Sequence, residues 1–231
     1  MSSASSLPLW AIVTRLGEAQ ILLPAALGVV AWLAMRARAQ RLALAWLVAL
    51  GVAAVVTTVS KVAFIGWGLG WPALNFTGVS GHAMFAAAVY PLLFGGLAGP
   101  LATALGAAPA EPWQRSGLLL GCATALLVGV SRVELDAHSW SEVVAGLALG
   151  GLASAAALAG ARMPKAGVPL WLPLAIVAWL LLMPHHAPPS FTHDMVTRLS
   201  LALSGHQQPY TRSAMLAAWK ERKNALRLAP R

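Results

Sequence analysis

The chain has 231 residues, of which 58% are hydrophobic and only 10% charged, and a formal charge of +9. Several apolar runs approach or exceed the roughly 18 residues that a bilayer crossing requires, which excludes an ordinary water-soluble core and predicts an integral membrane protein. The basic residues fall mostly in short loops and the C-terminal tail, not in one stripe with aromatics, which argues against a nucleic-acid partner and suits anionic lipid headgroups.

Residues 1–6 are mostly small and polar and lack the basic start and cleavage site of a signal peptide, so the first hydrophobic element is expected to be retained. From Leu7 to Gln20, Arg15 and Glu18 interrupt an amphipathic pattern, predicting an interfacial helix that runs into a first span over about 21–35. Arg36, Arg38 and Arg41 crowd the next loop, which the positive-inside rule makes cytoplasmic. A second span over about 42–64 carries Lys61 near its far end, and the Gly/Trp-rich stretch 66–77 is then extracytoplasmic, with Trp67 and Trp71 in the headgroup belt.

A third span over about 83–97 leads to a Pro/Gly/Ala loop ending at Trp113 and Arg115. Further spans are predicted over about 116–130, from His138 to Ala161, and over 168–183, with Arg162 and Lys165 marking the inner face. The fold class is therefore all-α: a polytopic membrane bundle of about six transmembrane helices, with interfacial helices at the N-terminus and in the tail. Residues 1–184 form the transmembrane domain and 185–231 a basic amphipathic tail, in which Thr192–Leu203 and Thr211–Leu228 are expected to lie on the headgroups of the outer face. Cys122 lies in an apolar run and has no partner in the chain.

Two polar clusters interrupt this pattern. Ser80, Gly81 and His82 stand at the start of the third span, where the unpaired N–H groups and the dipole of a helix start suit a phosphate. About fifty residues on, Ser131 and Arg132 are followed by His138 and Glu142 at the edge of another apolar run. Spaced four apart, His138 and Glu142 share a face of a helix, and the carboxylate can accept the Nδ1–H and leave Nε2 free as a nucleophile or a base. Arg132 offers a planar fork of donors for phosphate oxygens, Lys61 a point charge, and His82 a proton for a leaving oxygen. The set needs no metal or other cofactor. Taken singly, Ser80 reads equally as a helix N-cap, and Lys61 and Arg132 as interfacial anchors. His185, His186, His193 and Asp194 invite a metal reading that neither cysteine nor regular helical spacing supports.

Val79-Ser80-Gly81-His82 together with Ser131-Arg132, His138 and Glu142 resembles the second and third motifs of the type 2 phosphatidic acid phosphatase superfamily of metal-independent lipid phosphatases. The resemblance covers about residues 61–150. It implies His138 as a nucleophile forming a phosphohistidine, Glu142 as its orienter and His82 as general acid. It also implies Lys61, Ser80, Gly81 and Arg132 as phosphate ligands, and Ser131 is expected to bind phosphate with them. Val79 stands where the family has proline, Glu142 where it has aspartate, and Gly68-Leu69 where it has Arg-Pro after the lysine.

The expected activity is hydrolysis of a phosphomonoester or pyrophosphate on a membrane lipid, at the periplasmic face of a bacterial inner membrane. The partners are a lipid phosphate substrate and membrane lipids, with no obligate protein partner. Two other readings compete. Gly78–Gly81 also resembles the Gly-x-Ser-Gly of rhomboid intramembrane proteases, with His138 as base to Ser80, although this leaves Lys61, Arg132 and Glu142 idle. A non-catalytic lipid-binding or transport protein on the same scaffold is the other.

Overall fold

The computed structural model describes residues 7–35, 39–107, 109–164, 167–188 and 190–228. Among these, regular structure is helical: α1 (Leu7–Arg15), α2 (Ala19–Met35), α3 (Gln40–Trp67), a 3-10 turn (Pro72–Leu74), α4 (Gly81–Ala104), α5 (Ala110–Glu134), α6 (Trp140–Gly160), α7 (Trp171–His186), α8 (Thr192–Ser204) and α9 (Arg212–Leu228). The predicted all-α bundle is the observed one. Helices α3 to α6 are each long and apolar enough to cross a membrane, and α1 with α2, bent by 46° at the break between them, makes a fifth crossing if the pair is one span. The sixth expected span corresponds to α7, whose 16 residues rise only about 24 Å, less than a typical hydrocarbon core.

Lipid, not water, explains the outside of this bundle. Leu44, Val48, Val52, Val55 and Val59 form an exposed stripe along α3, spaced three or four residues apart on one helix face. In water such a patch would be a liability, and in a bilayer it is the ordinary contact surface. The inside is organised on α4, most of which is buried. Its neighbours approach its backbone through glycine: a Cβ at Gly121 would lie 2.4 Å from the Tyr90 carbonyl oxygen, and one at Gly150 would lie 2.2 Å from that of Met84. Small residues one helical turn apart, Gly117/Gly121 on α5 and Gly146/Gly150 on α6, thus set the distances between helices.

Pro91 lies inside α4 and cannot donate to the Ala87 carbonyl; Ser154 Oγ on α6 donates to that oxygen instead, at 2.7 Å. Helix α4 continues through Pro100 to Ala104 and α5 begins at Ala110, so Trp113 and Arg115 are helical and the expected Pro/Gly/Ala loop shrinks to a short connection. Arg41 and Arg162 border one hollow at the end of the bundle away from the polar clusters, in agreement with their assignment to a common face. Arg36, Arg38, Lys165 and Arg231 lie outside the described residues.

Because α3 and α5 end, and α4 and α6 begin, on the same face, both polar clusters converge there. Helix α7 also ends on this face. There Arg15 donates from Nη1 to the Pro184 carbonyl at 2.8 Å, and from Nη2 to that of Ala187, satisfying C-terminal acceptors of α7. The two tail helices were expected from their amphipathic pattern, but α8 packs along α3 and does not stand apart from the bundle.

Candidate active site

Glu142 is fully buried and anchors the site. It is the third residue of α6, in a capping box with Ser139: the Ser139 Oγ accepts from Glu142 N, and the Ser139 N–H donates to Glu142 Oε2 at 3.2 Å. His138 precedes the helix and does not lie on its face, contrary to the simplest expectation. Its backbone N–H is held by the Arg132 carbonyl at 3.1 Å, and its Nδ1 lies 2.7 Å from Glu142 Oε2. The expected pairing therefore forms, but through a cap and a turn. Glu142 Oε1 accepts from the N–H and the Oγ1–H of Thr77, at 2.6 and 2.5 Å, and Oε2 accepts a further 2.6 Å bond from Nη2 of Arg212. With the proton on Nδ1 facing the carboxylate, the free nitrogen of His138 is Nε2. Burial lowers the His138 pKa from its ordinary value, with Lys61 and Arg132 acting in the same sense and Glu142 opposing them.

A cavity of about 650 Å³ opens beside this wall. Lys61 of α3, His82 of α4, Arg132 of α5, His138 and Arg212 all line it, whereas no aspartate or glutamate is among its lining residues. Three cationic side chains and three imidazoles, those of His82, His138 and His193, around one space suit an anion. Gly81 also lines it, and as the first residue of α4 its N–H has no acceptor within the helix. Arg132 is steered by the N-terminal segment: its Nη1 donates to Thr14 Oγ1 at 2.7 Å, while its buried Nε has no partner among the described residues. Gly17, in the break between α1 and α2, closes the cavity against His82; a Cβ there would come within 2.8 Å of the His82 Cβ. From Lys61 the cavity continues past Thr58 and Thr57 to Ala54, about 10 Å along α3.

Two of the expected phosphate ligands stand elsewhere. Ser131 is fully buried, its Oγ donating to the Val128 carbonyl at 2.6 Å, and it does not line the cavity, because a serine in the last turn of α5 finds that acceptor one turn back. Ser80 is the N-cap of α4 but makes no side-chain cap bond. Its N–H donates to the Glu142 carbonyl at 3.1 Å, joining the two clusters through the backbone, and its Oγ is buried without a partner among the described residues. Ser80 is thus not hydrogen-bonded to His138, as a protease dyad requires. His193 of α8 lines the cavity, His185 and His186 end α7, and no cluster of three metal-ligating side chains occurs among the described residues.

Sequence reasoning missed Thr77, Thr14 and Arg212. Thr77 lies three residues before Ser80 and its proximity was readable, but nothing in its type or spacing marks it as a carboxylate donor. Arg212 lies seventy residues beyond its partner in the chain. The Gly68-Leu69 departure also has a structural counterpart: Gly68 ends α3 with φ at 69°, and the Tyr210 ring lies within 3.0 Å of where its Cβ would be. A long side chain at 68 would meet that ring.

A profile of the PAP2 superfamily matches residues 68–165, which hold both polar clusters of the cavity wall. The chain is also 30% identical, over 208 residues, to an uncharacterized 22.5 kDa protein in the cps region of Klebsiella pneumoniae, an alignment covering 88% of this chain and 96% of that one. The chain belongs to the PAP2 superfamily. No solved structure matches it. Membership, together with the apolar helices, makes it a membrane protein of the phosphatase type. The profile begins after Lys61 and ends before the tail, so it covers neither Lys61 nor Arg212, both of which line the cavity.

Proposed function

We propose that this PAP2 protein hydrolyses a phosphomonoester or pyrophosphate carried by a membrane lipid, through a phosphohistidine on His138. The observation that carries this reading is the 2.7 Å bond from His138 Nδ1 to a fully buried carboxylate, beside a cavity with three cations and no acidic lining residue. In the first step Nε2 of His138 attacks phosphorus, the bond from phosphorus to the leaving oxygen breaks, and His82 gives its proton to that oxygen. In the second, water attacks the phosphohistidine, the N–P bond breaks, and the water proton passes to His82. Glu142 holds the Nδ1–H throughout and compensates the charge that His138 acquires. Lys61, Arg132 and the start of α4 at Gly81 bind the phosphoryl oxygens, and a bound dianion favours the protonated form of His82 that the first step needs.

The extension of the cavity along α3 supports a lipid as substrate, because a headgroup at Lys61 leaves room for the first part of its chain beside Ala54, Thr57 and Thr58. The arginine-bearing ends of α3 and α6 lie away from the site, which favours the periplasmic face of a bacterial inner membrane for the cavity. Phosphate release by purified protein in detergent, from a panel of isoprenyl pyrophosphate, phosphatidylglycerophosphate, phosphatidate and lipid A phosphate, tests the function. Release from at least one of them in the presence of EDTA is expected. Activity abolished by EDTA and restored by a divalent metal would refute the metal-free mechanism, and a protein that binds these lipids without turnover would favour the transport reading.

A further inference from the structure

The tail is built into the cavity wall by contacts of several kinds. Ser200 of α8 is fully buried, and the space above Gly66 is bounded by the Ser200 carbonyl oxygen and the Ser204 side chain, so α8 seats on α3 where α3 has no side chain. Past α8, His206 Nδ1 lies 2.7 Å from the Gly66 carbonyl oxygen, and the Tyr210 N–H donates to the Ile65 carbonyl at 3.0 Å. These bonds occupy acceptors in the last turn of α3 that the helix itself leaves open. The Tyr210 ring covers Gly68, and two residues later Arg212 reaches the cavity.

The placement of Arg212 there is not that of a lipid-surface anchor. Its side chain is about 30% exposed and donates from Nη2 to Glu142 Oε2 at 2.6 Å and to Thr77 Oγ1 at 3.4 Å. A guanidinium carries five N–H donors, and among the described residues Nε and Nη1 of Arg212 have no hydrogen-bond partner. The cavity it lines already holds Lys61 and Arg132 and no acidic lining residue that would claim those donors. Other basic residues of α9, among them Arg222 and Lys223, are exposed on the tail.

We propose that Arg212 is an anion-binding residue of the active site, delivered by the tail: Nη2 secures the Glu142 carboxylate while Nε and Nη1 bind the phosphoryl group. The tail thereby completes the site. This rests on the phosphate-binding part of the reading above, and its test can be separated from the reaction.

The test is orthophosphate binding to full-length protein in detergent, followed by calorimetry, alongside turnover of whichever lipid phosphate the wild type accepts. Arg212→Ala is expected to weaken orthophosphate binding by on the order of tenfold to a hundredfold, the loss typical of a charged hydrogen-bonding group, and to raise KM for the lipid in parallel. Arg212→Lys should fall between the two, because it keeps a charge without the fork. Added ethylguanidinium should restore part of the binding to Arg212→Ala, which a misfolded protein cannot show, and Arg222→Ala should match the wild type. Unchanged orthophosphate affinity in Arg212→Ala would overturn the proposal. So would faster turnover in that variant, since it would make Arg212 a restraint on Glu142. Wild-type protein that binds orthophosphate through Arg212 yet hydrolyses no lipid phosphate would refute the proposed reaction and leave this assignment standing.

Discussion

The two walls of the cavity are built on opposite terms. On the nucleophile wall the polar groups are already paired: Glu142 receives Thr77, His138, Ser139 and Arg212 on its two oxygens and is closed to solvent. On the cation wall donors remain without a partner among the described residues, as with Arg132, whose Nη1 is tied to Thr14 while its buried Nε has none. A preorganised nucleophile facing unsatisfied cations is the division expected where one side does chemistry and the other waits for an anion. Changes on the first wall should therefore reduce kcat, and changes on the second should raise KM.

His138→Ala should have the largest effect, lowering phosphate release by ~10⁴-fold or more with little change in substrate affinity, measured as kcat and KM on the same lipid. A mainly KM effect would place His138 on the binding wall instead. Glu142→Gln is expected next, at ~10³-fold in kcat. Both carboxylate oxygens accept hydrogen bonds, and an amide can accept on only one side. The substituted side chain must therefore turn its NH₂ against either Thr77 or the His138 and Arg212 pair. Retained activity in this variant would break the link between the carboxylate and the His138 tautomer.

His82→Ala sharpens the comparison within the site. It should slow hydrolysis of alkyl and prenyl phosphates by ~10²-fold or more, and that of an activated aryl phosphate by much less, because a good leaving group needs no proton. A uniform loss across leaving groups would make His82 a binding residue. In the proposed mechanism the neutral His138 is the active form in pH profiles of kcat/KM, and its pKa lies below the usual value because burial disfavours its charge. Activity should thus persist into acid and fall only as the pH drops through that lowered pKa. An acid limb above 6.5 would contradict the buried setting of His138.

The smallest expected effect is that of Thr77→Val, which removes the Oγ1 bond to Glu142 and keeps the backbone one. It should lower kcat by roughly tenfold or less, the scale of one hydrogen bond to a charged group. A larger loss would mean that Thr77 does more than hold the carboxylate.

These walls also differ in how far they could be read from the sequence. The pairing of His138 with Glu142 follows from a four-residue spacing, and the convergence of the two clusters follows from counting apolar spans. Both are local or periodic signals, and both hold in the structure, although Ser139 supplies a cap where a continuous helix was expected. The roles of Ser80 and Ser131 were not legible in the same way, because motif and spacing do not say which way a hydroxyl turns. Ser131 satisfies itself one turn back, and Ser80 contributes its backbone to Glu142. Arg212 was hidden for a different reason. Its place depends on α8 seating over Gly66 and on Tyr210 covering Gly68, contacts between segments some 140 residues apart that leave no periodic trace. A basic amphipathic tail looks the same whether it lies on lipid or reaches into a site.

The most direct measurement of the central claim is rapid-quench trapping of the phosphoenzyme with a radiolabelled lipid phosphate. The expected result is an acid-labile, base-stable label on histidine in the wild type that builds up within the first turnover, remains in His82→Ala and is absent from His138→Ala. A label that persists in His138→Ala, or one that disappears in His82→Ala alone, would contradict the assignment of His138 as the nucleophile.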